Sequence, residues 1–251
     1  IRDAYANVVT SDSTSVITLT IQTNPGSSTL AGDVDLTVSS GIATWTATQA
    51  MYLNKSGTGY VLRASDGTRT ADSSSFNVTH AAANSLVWAT QPATGAAGTD
   101  LTPVVEIRDA YANVVTSDNT STLTLNIQSN PGGSALAGDY DLTVVNGVAT
   151  WTATQGMYLN KVGTGYVLRA SDGTRTTDSS SFNVTHAAAN SLAWTTQPVT
   201  GAAGTNLTPV VEIRDAYANV GTSDSTSVIT LAIQTNPGSS SLAGDADLTV
   251  A

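Results

Sequence analysis

The chain repeats itself. Ile1-Arg2-Asp3-Ala4-Tyr5-Ala6-Asn7 returns at 107–113 and again at 213–219, a period of 106 residues. Between the first two copies about 88 of the 106 positions are identical, so the 251 residues hold two full periods and part of a third. A unit of this length is too long for a solenoid repeat, which runs to roughly 20–50 residues. It matches an autonomous domain with a core of its own. The small, featureless stretch His80-Ala81-Ala82-Ala83-Asn84 recurs at 186–190 between strong strand patterns, and it phases the copies as 1–80, 81–186 and 187–251. A joint this short permits limited bending rather than free tumbling. In this phase the first copy starts inside its second strand and the third stops before its last three. The expectation is a section of a continuous repeating polymer, with strand donation from a neighbouring subunit as the alternative.

Within the complete copy, apolar residues alternate at the period of a half-buried strand, and no segment has a helical period. Leu86 and Trp88 face inward on 85–90, Val105 and Ile107 on 102–109, and Leu123, Leu125 and Ile127 on 121–128. Val148 to Thr154 carries Trp151 inward, 166–170 carries Tyr166 and Leu168, and 180–185 carries Phe182 and Val184. The turns read as Gln91-Pro92, Gly95 to Gly98, Asp109 to Asn113, Asn130-Pro131-Gly132-Gly133, a type I′ hairpin at Asn146-Gly147, and Asp172-Gly173. Substitutions between copies respect this facing. Val87 becomes Ala193 and Ala89 becomes Thr195 at outward positions, while inward Ile17 becomes Leu123 at constant volume. About seven short strands in a 106-residue unit indicate an all-β fold of tandem immunoglobulin-like β-sandwich domains. Trp45, Trp88, Trp151 and Trp194 all share the inward phase and are expected in cores.

Composition narrows the function. Only 11% of residues are charged, against roughly 25% in an average domain, and the net charge of −10 repels phosphate backbones, which speaks against nucleic-acid binding. There is no cysteine, which excludes thiol catalysis and Cys-ligated zinc. No apolar run in this segment approaches the roughly 20 residues of a membrane span.

The runs Leu86-Val87-Trp88-Ala89-Thr90-Gln91-Pro92, Ala97-Gly98 and Val104-Val105-Glu106-Ile107-Arg108-Asp109 resemble the opening of bacterial Ig-like repeats. Asn130 to Gly133, Gly147 to Trp151, Leu159-Asn160-Lys161 and Gly163 to Leu168 resemble the remainder. Such repeats are related in architecture to invasin and intimin stalk domains. The resemblance implies a secreted or cell-surface spacer, adhesin or filament without shared catalytic residues. Ala112 departs from the pattern, standing where many such repeats carry glycine.

Candidate chemistry is sparse. Each repeat offers one Glu, one Lys and one His, so no acid, base and nucleophile converge, and the expectation is no catalytic, cofactor-binding or metal residue and no cofactor. Glu106 reads as an exposed partner of Arg108. His80 and His186 are each alone in a joint, short of the three or four ligands of zinc. Asp33 with Asp35, Asp139 with Asp141, and Asp109, Asn113 and Asp118 offer oxygens that calcium favours, but without an EF-hand spacing. Lys161 and Asn183 could form an isopeptide bond only beside a buried carboxylate, and Glu106 faces out. Asn54, Asn77, Asn119, Asn183 and Asn206 begin Asn-x-Ser/Thr triplets, so glycans are possible partners. The leading expectation is a structural stalk or filament whose partners are neighbouring copies of the same chain. The alternatives are an adhesin gripping a host protein or glycan through domain-tip loops, and a spacer within a secreted enzyme.

Overall fold

The computed structural model describes residues 1–250 and is all-β, its only helical segments being the three-residue 3-10 turns Ala47–Gln49 and Ala153–Gln155. No helix among the described residues is long and apolar enough to cross a membrane. Within 81–186 the strands form a β-sandwich of two layers. One layer is three-stranded, with Val104–Asp109 between Ala83–Thr90 and Val148–Thr150. The other runs Asp141–Thr143, Thr122–Ser129, Gly163–Ser171, Phe182–Thr185, Gly95–Ala96, with Thr176–Asp178 also on Gly163–Ser171. Alternation drives this arrangement. Val105, Ile107, Leu123, Leu125, Trp151, Tyr166, Leu168, Phe182 and Val184 are all buried between the layers, while Glu106 and Arg108 pair on the outer face.

Two local readings change. Gly95 and Ala96 do not merely turn: they pair in parallel with Val184 and Thr185, which binds the start of the repeat to its end. Asn146 and Gly147 have the positive φ values of a type I′ turn, 51° and 76°, and Val145 bridges Val148. The arms then part. Asp141–Thr143 pairs with Thr122–Ser129 in one layer and Val148–Thr150 with Val104–Asp109 in the other. The turn carries the chain across the sandwich because each arm's best partner lies in a different sheet. Val148–Thr150 also stops before Thr154. Thr152 caps the next three residues, accepting from the Thr154 N–H while Gln155 Oε1 accepts from the Thr152 N–H, and this starts a 3-10 turn.

The tryptophans divide. Trp88 and Trp151 are in the core. Trp194 is 46% exposed, and Trp45 is half-exposed, donating its Nε1–H to the Asp33 carbonyl at 3.0 Å. The expectation that all four are core residues is therefore corrected. Trp194 lies opposite Val211 in the two-stranded sheet of Ala189–Thr196 and Val210–Asp215.

Candidate functional site at the joint between repeats

The most developed polar arrangement lies where one repeat meets the next, and it is built twice. Its upstream half is a loop of the preceding repeat. Asn130 brackets Ser134, its Nδ2 donating to the Ser134 carbonyl and its Oδ1 accepting from the Ser134 N–H, both at 2.8 Å. Ser134 Oγ in turn accepts from the Asn160 N–H and donates to Asn160 Oδ1, both at 2.9 Å. Tyr166, wholly buried, donates its hydroxyl to the Lys161 carbonyl at 2.8 Å. These bonds hold 160–162 with backbone groups facing out of the repeat.

The downstream half is the turn 215–219. Asp215 closes it locally: Oδ1 accepts from the N–H groups of Tyr217 and Asn219 at 2.8 and 2.9 Å, and Oδ2 from Asn219 Nδ2 at 2.8 Å and the linker N–H of Ala187 at 2.9 Å. The Asn219 side chain, fixed by Asp215, then bonds the preceding repeat. Its Nδ2 donates to the Asn160 carbonyl at 3.0 Å and its Oδ1 accepts from the Val162 N–H at 3.1 Å. Lys161 Nζ answers by donating to the Tyr217 carbonyl at 2.6 Å. Tyr217 packs on Tyr158, ring centroids 5.9 Å apart, and against Gly98.

The first joint repeats every bond. Asn113 joins the Asn54 carbonyl and the Ser56 N–H at 3.1 and 3.0 Å, Lys55 Nζ donates to the Tyr111 carbonyl at 2.5 Å, Asp109 holds Asn113 and the Ala81 N–H, and Tyr52 meets Tyr111 at 5.8 Å. In the first copy Asp3 makes the same bonds to Tyr5 and Asn7. The linkers themselves are short, 79–82 and 186–188. His80 and His186 tie them down. Each ring pairs Nδ1 with the next residue's carbonyl, and Nε2 meets the Ser117 N–H at 3.3 Å in one joint and Ser223 Oγ at 2.7 Å in the other.

Electrostatics strengthen the clasp. Burial alone would raise the Asp109 carboxyl, but hydrogen bonds from the Asn113 side chain and from the N–H groups of Ala81, Asn113 and Tyr111 outweigh it and hold it at about 2. Asp215 is held at about 2 by the same balance, with Asn219, Ala187 and Tyr217 as donors. Because the folded value lies below the ordinary 3.8, the stabilisation is fully present above pH 4 and is lost as pH falls towards 2. Each aspartate contributes about 2 kcal/mol by linkage. Thermal melts are expected to fall between pH 4 and 2, and to fall less in Asp109→Asn/Asp215→Asn, which has no charge left to lose. Equal slopes in parent and variant would remove the clasp from the explanation.

Ala112 and Ala218 both sit at φ 62° in these turns, the left-handed region that costs a non-glycine residue about 1–2 kcal/mol. Glycine there relieves the strain at an entropic cost of roughly 0.5–1 kcal/mol. Ala112→Gly is expected to stabilise the chain by about 0.5–1 kcal/mol in a denaturant titration, and a loss of stability would contradict this reading of the turn.

The other candidates resolve into local roles. Asp118 accepts from Thr120 and Ser121, and Asp141 from Thr124 Oγ1 at 2.5 Å. Among the described residues no three His, Asp or Glu side chains gather where they could hold a metal ion. Lys161 reaches the next repeat rather than Asn183, whose Oδ1 accepts from the Gly165 N–H; Asn77 does the same with Gly59. Glu106 pairs with Arg108.

No protein-family model matches the chain, and no curated protein matches it. Among solved structures it is similar to domains 4–9 of the surface layer protein SbsC, at 15% identity and TM-score 0.33, covering 94% of this chain and 34% of that one. The chain thus spans about a third of that protein's structure. Domains 4 and 5 of the S-layer protein SbsC match at 17% identity and TM-score 0.30, covering 67% of this chain and 99% of that one. A chimeric titin Z1Z2 matches at 13% identity and TM-score 0.20, covering 68% and 81%.

Proposed function

We propose that the chain is a structural array of bacterial-type Ig-like domains, at 1–80, 81–186 and 187–251, working outside the cell as a stalk or filament. The observation that carries the reading is the joint. Side chains of one repeat complete the backbone hydrogen bonding of the repeat before it, and the same three cross-joint bonds recur at both joints. A flexible string of binding modules has no need of such closure, whereas a rod that carries length does. The middle repeat buries a core of its own, from Leu86 to Val184, which suits a unit that holds its length. Sparse charge and dense Thr and Ser on the outer faces suit lateral packing against other copies. Electron microscopy of the chain is the test. Straight particles with a constant repeat spacing, alone or bundled side by side, are expected. Particles bent freely at the joints would refute the stalk.

A further inference from the structure

We infer that the middle repeat carries, on the side of its sandwich, a docking site for an extended cationic strand of another protein. Strand Thr122–Ser129 is eight residues long, but Asp141–Thr143 pairs only with Thr122, Leu123 and Thr124 along its outer edge. One more bond follows, from the Leu125 N–H to the Tyr140 carbonyl at 3.0 Å. There the neighbouring chain leaves the sheet, because Leu136–Ala137 pairs with Tyr158–Leu159 instead. Among the described residues no strand lies against the outer edge of 126–129. Backbone groups alternate sides along an antiparallel strand, so Ile127, two positions on from Leu125, turns its N–H and C=O to the open edge. Sheet edges are ordinarily blunted by charge, proline or brevity. The stretch 122–129 has no charged residue and no proline.

A groove of about 260 Å³ adjoins this edge, lined by Leu125, Asn126, Ile127, Leu136 and Tyr140. A strand added along the edge sends alternate side chains to the two faces of the sheet, and every second one meets the apolar floor. The rim is acidic. Asp139 is exposed and, with Asp141, flanks Tyr140 in sequence. Together with the net charge of −10, these carboxylates attract a cationic segment and repel the same edge of a second copy. The copies also differ here. Along 107–145, which all three share, four positions hold a different residue in each copy: 126, 135, 140 and 145. Two of these line the groove, and Ala135 adjoins Leu136. The floor is unchanged, being Leu19, Ile21 and Leu30 in the first copy and Leu231, Ile233 and Leu242 in the third. The rim changes, from Asn126 with Tyr140 to Thr20 with Val34 and Ala232 with Ala246. A constant floor under a changing rim fits recognition tuned copy by copy. Tyrosine suits such a rim because it offers rigid contact area at low entropic cost, and asparagine adds adaptable hydrogen bonding.

Fluorescence anisotropy of a labelled heptapeptide of alternating lysine and valine, titrated with the whole chain at low ionic strength, tests the site. Saturable binding is expected, with slowed amide exchange at 122–129 in hydrogen-exchange mass spectrometry. Two prolines at the centre of the peptide remove donors from both of its edges, and this peptide should bind about tenfold more weakly or worse. Glutamate in place of lysine should do the same. Tyr140→Val installs the residue of the first copy, so the fold is expected to tolerate it, and binding should weaken severalfold. Asp139→Asn should weaken binding and flatten its dependence on salt. No binding, or binding indifferent to both the prolines and Tyr140→Val, would overturn the strand site and leave charge attraction alone. So would slowed exchange at 122–129 from self-association of the chain without peptide, or from maltoheptaose where the peptide gives none. The site lies within one repeat and no readout depends on rigid joints, so it and the stalk fail separately.

Discussion

Trp151→Ala is expected to destabilise the middle repeat by about 3–5 kcal/mol, the range for emptying a large aromatic site in a core that cannot collapse fully. Trp151 is 1% exposed and lies among Val105, Leu123, Met157 and Tyr166 in one continuous cluster. Its indole N–H, like that of Trp88, has no hydrogen-bond partner. An unpaired buried donor costs about 1–3 kcal/mol, so removing it offsets part of the cavity and places the result near the lower end. Trp194→Ala, at a position 46% exposed, should cost less than about 1 kcal/mol in this chain because the indole has little packing to lose. Denaturant titrations of the two variants make the comparison. Similar losses would mean that the third copy is covered in solution by something beyond its own two-stranded sheet.

Gly98→Ala should free the second joint while leaving the fold standing. Gly98 has φ +82°, and a Cβ there would lie 2.1 Å from the Tyr217 hydroxyl and 2.6 Å from its ring. Gly204, at the same place in the next copy, has φ +84° and nothing within 4 Å of its Cβ position. The two substitutions therefore share the backbone strain, about 1–2 kcal/mol, and differ in the collision alone. In Gly98→Ala the end of the Tyr217 side chain has to shift, and the joint in which it packs on Tyr158 is expected to loosen. Spin labels on Thr122 and Val228 should report a broadened distance in Gly98→Ala and a parental one in Gly204→Ala. Broadening in both would assign the effect to strain inside a repeat.

The core was readable from sequence for a simple reason. A strand shows its facing at a period of two, and positions such as Leu123, Leu125, Tyr166 and Leu168 declare it without reference to any distant residue. The Asn146-Gly147 turn was equally local, and its backbone angles follow from those two residues. Where its arms go did not follow, because the choice between two sheets rests on partners some 20 to 40 residues away, at Thr122 and Val104. The joint was the least visible feature. The linker at 80–84 marks where the repeats meet, but the bonds come from Asn54, Lys55 and Ser56 on one side and from Tyr111 and Asn113 on the other, 56 to 59 positions apart. Comparing the copies could not single these residues out, since most other positions also recur. Read alone, Lys161 lacked the buried carboxylate of a cross-link and Asp109 with Asn113 lacked a calcium spacing, so both read as having no special role. The bonds that give Lys161 and Asn113 one belong to the neighbouring repeat. One signal was present: Asp and Asn four residues apart at 3 and 7, 109 and 113, and 215 and 219, a spacing that lets the first carboxylate fix the second side chain in a turn.

Whether consecutive repeats are locked end to end is measured directly by a pair of distance distributions. The chain has no cysteine, so spin labels can be placed on equivalent exposed strand positions, Val16 with Thr122 for the first joint and Thr122 with Val228 for the second. Pulsed electron spin resonance at neutral pH should give one narrow distance for each pair, the two nearly equal because the joints repeat, and Asn113→Ala should broaden only the first. Broad distributions in the parent chain, insensitive to Asn113→Ala, would mean that the repeats swing freely and that the joint does not lock them.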